Sequence, residues 1–237
     1  MPPLALLAGG LATRLRPITV TIPKSMVEVA GEPFIAHQLR LLVRNGITDV
    51  VMCIGHLGEQ IEAFVGDGHG FGCRVRYVHD GARPLGTGGA LRRALPLLGE
   101  TFFVMYGDSY LDVDFRAVYA GFLRAGRPAL MTVFRNDGQW DTSNVEFADG
   151  AIRRYDKTER TAAMKHIDYG LGILTAGAVG ARAPDTPFDL AELYRDLLSR
   201  GLLAGYEVSE RFYEIGSPAG LAETSAHLLA RTHGRVQ

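Results

Sequence analysis

Short apolar runs alternate with amphipathic stretches through the first 134 residues, and that alternation leaves few folds open. LALL at 4–7 is a continuous apolar run ending in AGG, as a strand buried on both faces and feeding a loop should read. PFIAHQLRLLVRN at 33–45 begins on Pro, carries apolar residues at helical spacing and meets Gly46 as its stop. DVVMCI (49–54) reads as a strand, GEQIEAFV (58–65) as a short helix and CRVRYV (73–78) as an alternating strand. The rhythm continues with a helix over 88–98, a strand over 101–106, a helix over 114–125 and a strand over 129–134. Repeated βαβ units imply parallel strands with helices on the sheet faces. Residues 1–134 are therefore expected to form a nucleotide-fold half.

After 134 the pattern changes. NVEFADGAIRRYDK (144–157) reads as two short strands around an Asp-Gly turn, the signal of an antiparallel hairpin. A strand over 170–174, a helix over 189–200, a strand over 203–208 and a helix over 218–231 follow. No linker, repeat or low-complexity stretch divides the chain, so one domain over 1–237 is expected, with 135–237 as a second lobe closing over a shared cleft.

A net charge of −1, with both signs spread along the chain, lacks the electrostatic footprint of a nucleic-acid or anionic-membrane partner. No apolar run reaches the ~18 residues that span a bilayer, and the start lacks a basic, hydrophobic leader, so a cytoplasmic protein is expected. Cys53 and Cys73 have no CxxC or His pair near them and read as reduced core thiols. Cations are chosen unevenly, 22 Arg against 3 Lys, so each lysine invites scrutiny.

Five stretches hold the residues that chemistry would need. In LAGGLATRLRPITVTIPKSM (7–26), Gly9 and Gly10 let the backbone approach a ligand, Arg14 and Arg16 can fork onto phosphate, and Lys24 is a compact cation. Neither GxGxxG nor GxxxxGK[ST] is present, so the dinucleotide and Walker loops are excluded, and a plain basic turn stays open beside a phosphate loop. PLGTGGAL (84–91) leads into a helix that Thr87 can cap and whose N-terminus can face a base, ribose or phosphate, or the glycines simply pack closely. Asp108 follows the strand TFFVM, where α/β sheets place ligand groups, and is either a Mg²⁺ ligand or a cap; Asp112 and Asp114 read as helix-start acids. Lys157 ends the hairpin, near DYGLGIL (168–174) with its two glycines. Glu214 in YEIGSP is a capping acid or a ligand. Trp140 reads as a packing residue, and the histidines show no zinc spacing.

Taken in order, LAGGLATRLRPIT, PKSM, PLGTGGA, GDSYLD, YDK, YGLGI and YEIGSP resemble the sugar-1-phosphate nucleotidylyltransferases, nearest in motifs to the heptose and mannose 1-phosphate guanylyltransferases. The resemblance implies an α/β, Rossmann-like fold: a mixed, mainly parallel sheet with helices on both faces and a small sugar-binding lobe. It implies an enzyme joining NTP and sugar 1-phosphate into NDP-sugar and pyrophosphate with Mg²⁺. By position, Leu7, Gly9, Gly10, Thr13 and Arg14 would hold the nucleotide and its phosphates, Lys24 the reacting phosphates, and Gly86, Gly88 and Gly89 the base and ribose. Asp108 would bind Mg²⁺. Asn144, Glu146, Lys157, Asp168, Tyr169 and Gly170 would face the sugar phosphate.

The sequence departs from the family at Glu214, where Asp is usual; metal binding with altered geometry is expected there. The chain stops soon after its last helix, so a stand-alone transferase, monomeric or homodimeric, is expected. Asp80 offers a carboxylate that can accept two hydrogens from guanine but one from uracil, which favours GTP. Uridylyl or cytidylyl transfer, a phosphocholine-like acceptor and a silent nucleotide-sensing subunit are the alternatives.

Overall fold

In the computed structural model, which describes residues 1–10, 13–15, 17–81 and 83–233, the predicted alternation is present, with additions. In chain order the strands and helices are β1 (Leu4–Leu7), β2 (Glu28–Val29), β3 (Glu32–Pro33), α1 (Phe34–Arg44), β4 (Asp49–Ile54), α2 (Gly58–Val65), β5 (Arg74–His79) and α3 (Gly86–Leu98). Then come β6 (Thr101–Tyr106), β7 (Ser109–Tyr110), α4 (Phe115–Ala125), β8 (Ala129–Arg135), β9 (Val145–Ala148), β10 (Ala151–Tyr155) and β11 (His166–Thr175). The chain continues through α5 (Ala176–Gly180), α6 (Leu190–Ser199), β12 (Leu203–Val208), β13 (Tyr213–Glu214) and α7 (Pro218–His233).

Nine strands form one sheet. β5, β4, β1 and β6 lie side by side and parallel, and β11 pairs antiparallel with β6. β8 pairs antiparallel with β11 and parallel with β12, and the β9–β10 hairpin joins through β11. β8 thus runs the same way as β6, as the βαβ rhythm implies, but β11 returns from later in the chain to lie between them. That insertion makes the sheet mixed.

Strand alternation builds the two faces. Leu4 and Leu6 of β1 pack with Ile35, Leu39 and Leu42 of α1 and Phe115 and Val118 of α4, while Ala5 and Leu7 pack with Leu91 and Ala94 of α3 and Leu193 and Tyr194 of α6. All of these side chains are buried. Asp114 caps α4, accepting from the Arg116 and Ala117 amides. Asp112, read as a similar acid, instead pairs with Arg231 of α7. Asp149 and Gly150 both take positive φ, 52° and 72°, as the hairpin's Asp-Gly turn demands.

The connections decide where a ligand can sit. β1 to β4 to β5 steps outward with α1 and α2 on one face; α3 then crosses the other face and returns the chain to β6, on the far side of β1. The strand order reverses between β1 and β6, and the crevice at their carboxyl ends is the binding position of open α/β sheets.

Candidate active site

That crevice holds a cavity of about 490 Å³, of the size that takes a small ligand. Leu7, Gly9 and Gly10 line it after β1, Gly55 and His56 after β4, Asp80 and Gly81 after β5, Gly86 and Thr87 at α3, and Tyr106 to Asp108 after β6. Lys24 and Ser25 complete its mouth. Seven of the residues singled out from sequence, Leu7, Gly9, Gly10, Lys24, Asp80, Gly86 and Asp108, therefore meet around one space.

The two loop glycines do different work. A Cβ on Gly9 would stand 3.2 Å from Asp80 Oδ2 and 3.3 Å from the Gly55 amide nitrogen, so Gly9 lets three loops close on each other. A Cβ on Gly10 would meet nothing within 4 Å, so it is Gly10 whose backbone faces open space. Asp80 accepts from the Leu85 amide, and burial holds its carboxyl above the ordinary carboxylate range against the opposing pull of Arg93. Cys53 lies beneath as a free thiol, pushed up to about 12 by burial and then by Asp80.

At the mouth, Pro23 holds an extended backbone into the short turn Lys24–Met26. Lys24 Nζ donates to Asp108 Oδ2 at 2.6 Å, and the Ser109 hydroxyl donates to Asp108 Oδ1 at 3.3 Å. The Ser25 hydroxyl is buried without a protein partner on the same wall. β13 pairs with β7, setting Glu214 opposite Ser109, and the Ile215 amide donates to the Asp108 carbonyl at 2.9 Å. The two acids are neighbours because of this small second sheet, which the sequence reading did not foresee.

Glu214 is folded back on its own turn. Its Oε2 accepts from the Gly216 amide and its Oε1 from the Ser217 hydroxyl at 2.8 Å, next to the first turn of α7. Ser217 caps α7, its hydroxyl accepting from the Gly220 amide at 3.0 Å, while Glu214 braces that hydroxyl and lies near Lys24 and Arg14. A Cβ on Gly216 would fall against Glu214 Oε2 and stand 3.0 Å from both Arg14 Nη2 and Lys24 Nζ. Gly216 is the point on which these three side chains converge. Of the other opening-loop residues, Arg16 and the Thr13 side chain lie outside what the structure describes.

Among the described residues no three His, Cys, Asp or Glu side chains gather as a metal cluster. Asp108, a third exposed on the cavity wall, nevertheless fits a hard divalent cation of the kind that takes one or two carboxylates and completes its shell from phosphates.

A family described as Nucleotidyl transferase matches residues 5–144, which includes every wall of this cavity. The chain belongs to the nucleotidyl transferase family. It is 42% identical over 115 residues to N-acetylmuramate alpha-1-phosphate uridylyltransferase of Neisseria meningitidis, covering 48% of this chain and 50% of that one. It is 28% identical over 220 residues to mannose-1-phosphate guanyltransferase beta-A of Xenopus laevis, covering 90% of this chain and 61% of that one. The chain thus spans 50% and 61% of the length of these two relatives. Its fold matches that of HddC from Yersinia pseudotuberculosis, solved complexed with GMP-PN, with a TM-score of 0.82 at 23% identity over 96% of this chain and 100% of that one. Among the described residues no helix is long and apolar enough to cross a membrane.

In the second half of the chain the singled-out residues divide. The Asp168 amide donates to Asn144 Oδ1 at 2.9 Å, Asp168 Oδ1 accepts from the Gly170 amide at 3.1 Å, and Oδ2 accepts from the Tyr155 hydroxyl at 3.0 Å. Gly170 has φ +95°, at the irregularity where β11 leaves β8, so the strand begins at His166 rather than at 170. Lys157 Nζ stands 5.3 Å from the centre of the Tyr106 ring, which joins this cluster to the cavity. The Tyr106 hydroxyl is buried without a protein partner, and burial, then Asp168, raises it and the Tyr155 and Tyr194 hydroxyls above the usual phenol range. All three stay neutral.

Tyr169, Gly88, Gly89 and Thr87 depart from expectation. Tyr169 does not face the cluster: alternation along β11 sends it into the core between Phe134 and Phe212. Glu146 is half-buried opposite Arg154 in the hairpin and, like Asn144, Lys157, Asp168 and Gly170, lies outside the cavity lining. Gly88 and Gly89 also face away. Their amides donate to the Phe188 carbonyl at 3.0 and 3.3 Å, and a Cβ on Gly88 would enter the Phe188 ring. These two glycines serve close packing. Thr87, read as a cap of its own helix, lines the cavity but gives its hydroxyl to α6, accepting from the Leu190 amide at 2.8 Å.

Gly88→Ala is accordingly expected to destabilise the fold by about 1–3 kcal/mol through overpacking, with little change in KM for nucleotide. A melting curve and a KM measurement check it; a raised KM with an unchanged melting temperature would return Gly88 to the ligand.

Trp140, read as packing, has the Arg211 guanidinium 3.4 Å from its ring centre. Arg211 also lies over Tyr213, which stacks on His227 at 3.9 Å. This stack ties the loop before β9 to β13 and α7, behind Glu214.

Proposed function

We propose that this protein transfers a nucleoside monophosphate from an NTP to a sugar 1-phosphate, releasing pyrophosphate. The observation that carries the reading is the meeting of Gly10, Lys24, Asp108, Asp80 and Gly86 around one cavity at the β1/β6 crevice. Cations, a carboxylate and bare glycine backbone around one space support a nucleotide with its phosphates.

An oxygen of the acceptor phosphate attacks the α-phosphorus in line, and the bond to the β-phosphate oxygen breaks with its electron pair leaving on pyrophosphate. The attacking phosphate is already ionised, so no general base is required; positioning and charge neutralisation carry the catalysis. Lys24 would neutralise the reacting phosphates and Arg14 the departing pyrophosphate. Lys157, above Tyr106, would hold the acceptor phosphate, with Asn144, Asp168 and Gly170 beside the sugar. Asp108, with Glu214 next to it, would hold Mg²⁺, which when bound neutralises phosphate charge.

The base proposed is guanine. Asp80 is a half-buried acceptor on the cavity wall, matched by the N1–H and N2–H edge of guanine. The structure solved with GMP-PN and the mannose-1-phosphate guanyltransferase aligned over 90% of this chain support that choice, and the latter supports mannose 1-phosphate as the acceptor, beside the heptose 1-phosphate that the motifs suggest. The shorter, 42% identical stretch shared with a uridylyltransferase supports UTP as the second reading. Pyrophosphate release from each NTP with Mg²⁺ and a panel of sugar 1-phosphates separates them; no release with any pair would favour a silent nucleotide-binding subunit.

Asp80→Asn should lower kcat/KM for GTP by roughly 10- to 100-fold, because a donor then replaces an acceptor to which charged-group hydrogen bonds are worth about 1.5–3 kcal/mol. Steady-state kinetics with GTP and CTP check this; unchanged GTP kinetics would remove Asp80 from base recognition.

A further inference from the structure

We infer that Lys24 occupies the divalent cation's place on Asp108 when the site holds no nucleotide, so that metal and nucleotide bind as a coupled pair. This rests on the nucleotidyl-transfer reading for its consequence, though not for its geometry.

All four carboxylate oxygens of Asp108 and Glu214 have protein donors. Asp108 Oδ2 takes the Lys24 ammonium at 2.6 Å and Oδ1 the Ser109 hydroxyl at 3.3 Å; Glu214 takes the Gly216 amide and the Ser217 hydroxyl. A cation arriving at Asp108 must displace or crowd a donor. The Gly216 amide is fixed by the backbone, and the serine hydroxyls are neutral and can rotate. The ammonium alone is charged, repels the incoming cation, and sits on a flexible four-carbon stem. The Lys24 and Asp108 side chains are only 17% and 33% exposed, so solvent screens their contact incompletely.

Displacement without nucleotide is unfavourable for a second reason. Lys24 Nζ and Arg14 Nη2 each lie 3.0 Å from the same point above Gly216, which Glu214 Oε2 approaches more closely, so an ammonium driven off Asp108 must share the already engaged Glu214 carboxylate with a guanidinium. A triphosphate removes the conflict, because its oxygens neutralise both cations and bring ligands for the metal. The metal then takes over Asp108 and Lys24 turns to phosphate. By linkage, nucleotide tightens metal binding by the same factor as metal tightens nucleotide binding.

The test reads metal binding directly. Mn²⁺ is titrated into the full chain without nucleotide, and free Mn²⁺ is followed by electron paramagnetic resonance. Lys24→Met is expected to bind Mn²⁺ roughly tenfold more tightly than the unmodified chain, in the lower part of the range that coupled sites show. Adding Asp108→Asn should abolish the gain. Lys24→Gln, which keeps a polar tip, should behave like Lys24→Met and guards against a folding artefact, with melting curves run on every variant. Mn²⁺ affinities within about twofold of the unmodified chain for both Lys24 variants would overturn the inference, as would a gain that survives Asp108→Asn. Calorimetry of GTP and UTP binding without metal addresses the functional reading separately: a chain that binds neither sinks that reading, while the Mn²⁺ comparison still decides the competition at Asp108.

Discussion

Lys24→Ala is expected to reduce kcat for pyrophosphate release by about 10³-fold, in the range seen when one preorganised charge stabiliser is removed from a reacting centre. The loss should fall on turnover more than on KM, because the ammonium acts where charge shifts from the α-phosphorus to the leaving pyrophosphate. The fold should survive. Removing the ammonium leaves an Asp108 carboxylate that is a third exposed and still accepts from the Ser109 hydroxyl, so no charge is stranded in the core. The Pro23 turn and the Met26 and Val27 backbone hydrogen bonds that shape this segment do not involve the Lys24 side chain. Steady-state kinetics with a thermal melt check both halves; a kcat within about threefold of the unmodified enzyme would take Lys24 out of the chemistry.

The sheet was legible because its strands are buried on both faces and its helices are amphipathic, so periodicity alone marks them. Leu4–Leu7, Asp49–Ile54 and Thr101–Tyr106 fall where their apolar runs put them. The pieces that escaped are short or depend on partners distant in sequence. β7 and β13 are two residues each, carry no period, and exist only because Ser109–Tyr110 meets Tyr213–Glu214. β11 reads as a strand from its glycines onward, but its first residues His166 to Asp168 are extended by pairing with β8, which no local pattern announces.

Type and position bring Gly9, Gly10, Asp80, Lys24 and Asp108 around one cavity because four of them follow β1, β5 or β6 and Lys24 follows the extended Pro23. The site was not legible where two uses of a residue look alike in sequence. The glycines of GTGGA could approach a ligand or a neighbouring chain, and Phe188, a hundred residues on, decides for the neighbour at Gly88. Tyr169 was misplaced because strand parity was not applied: Asp168 and Gly170 point one way and the residue between them the other. Ser25 and Tyr106 stood beside quoted motif residues, and a period-blind reading passed over them, although each now shows a buried hydroxyl without a protein partner on the cavity wall.

Gly216 is the second position where a small change should have a large effect, and the sequence marked it only as part of EIGSP. Its φ is not in the left-handed region, so alanine can adopt its backbone and any cost comes from the space the methyl takes. That methyl would fall against Glu214 Oε2 and stand 3.0 Å from both Arg14 Nη2 and Lys24 Nζ. Flexible side-chain ends can withdraw, so the fold should lose little. Their withdrawal is the functional damage, since it moves both phosphate cations off their common point and lifts Glu214 from its turn. A misplacement of about 1 Å at a reacting centre costs on the order of 10²-fold, and Gly216→Ala should lower kcat by about that factor. Ser217→Ala is the comparison: it removes the hydroxyl that donates to Glu214 Oε1 at 2.8 Å but adds nothing between the cations. If crowding of Arg14 and Lys24 is what matters, Ser217→Ala retains most of the turnover that Gly216→Ala loses, with both proteins melting near the unmodified chain. Equal losses in the two variants would instead make the orientation of Glu214 the controlling feature.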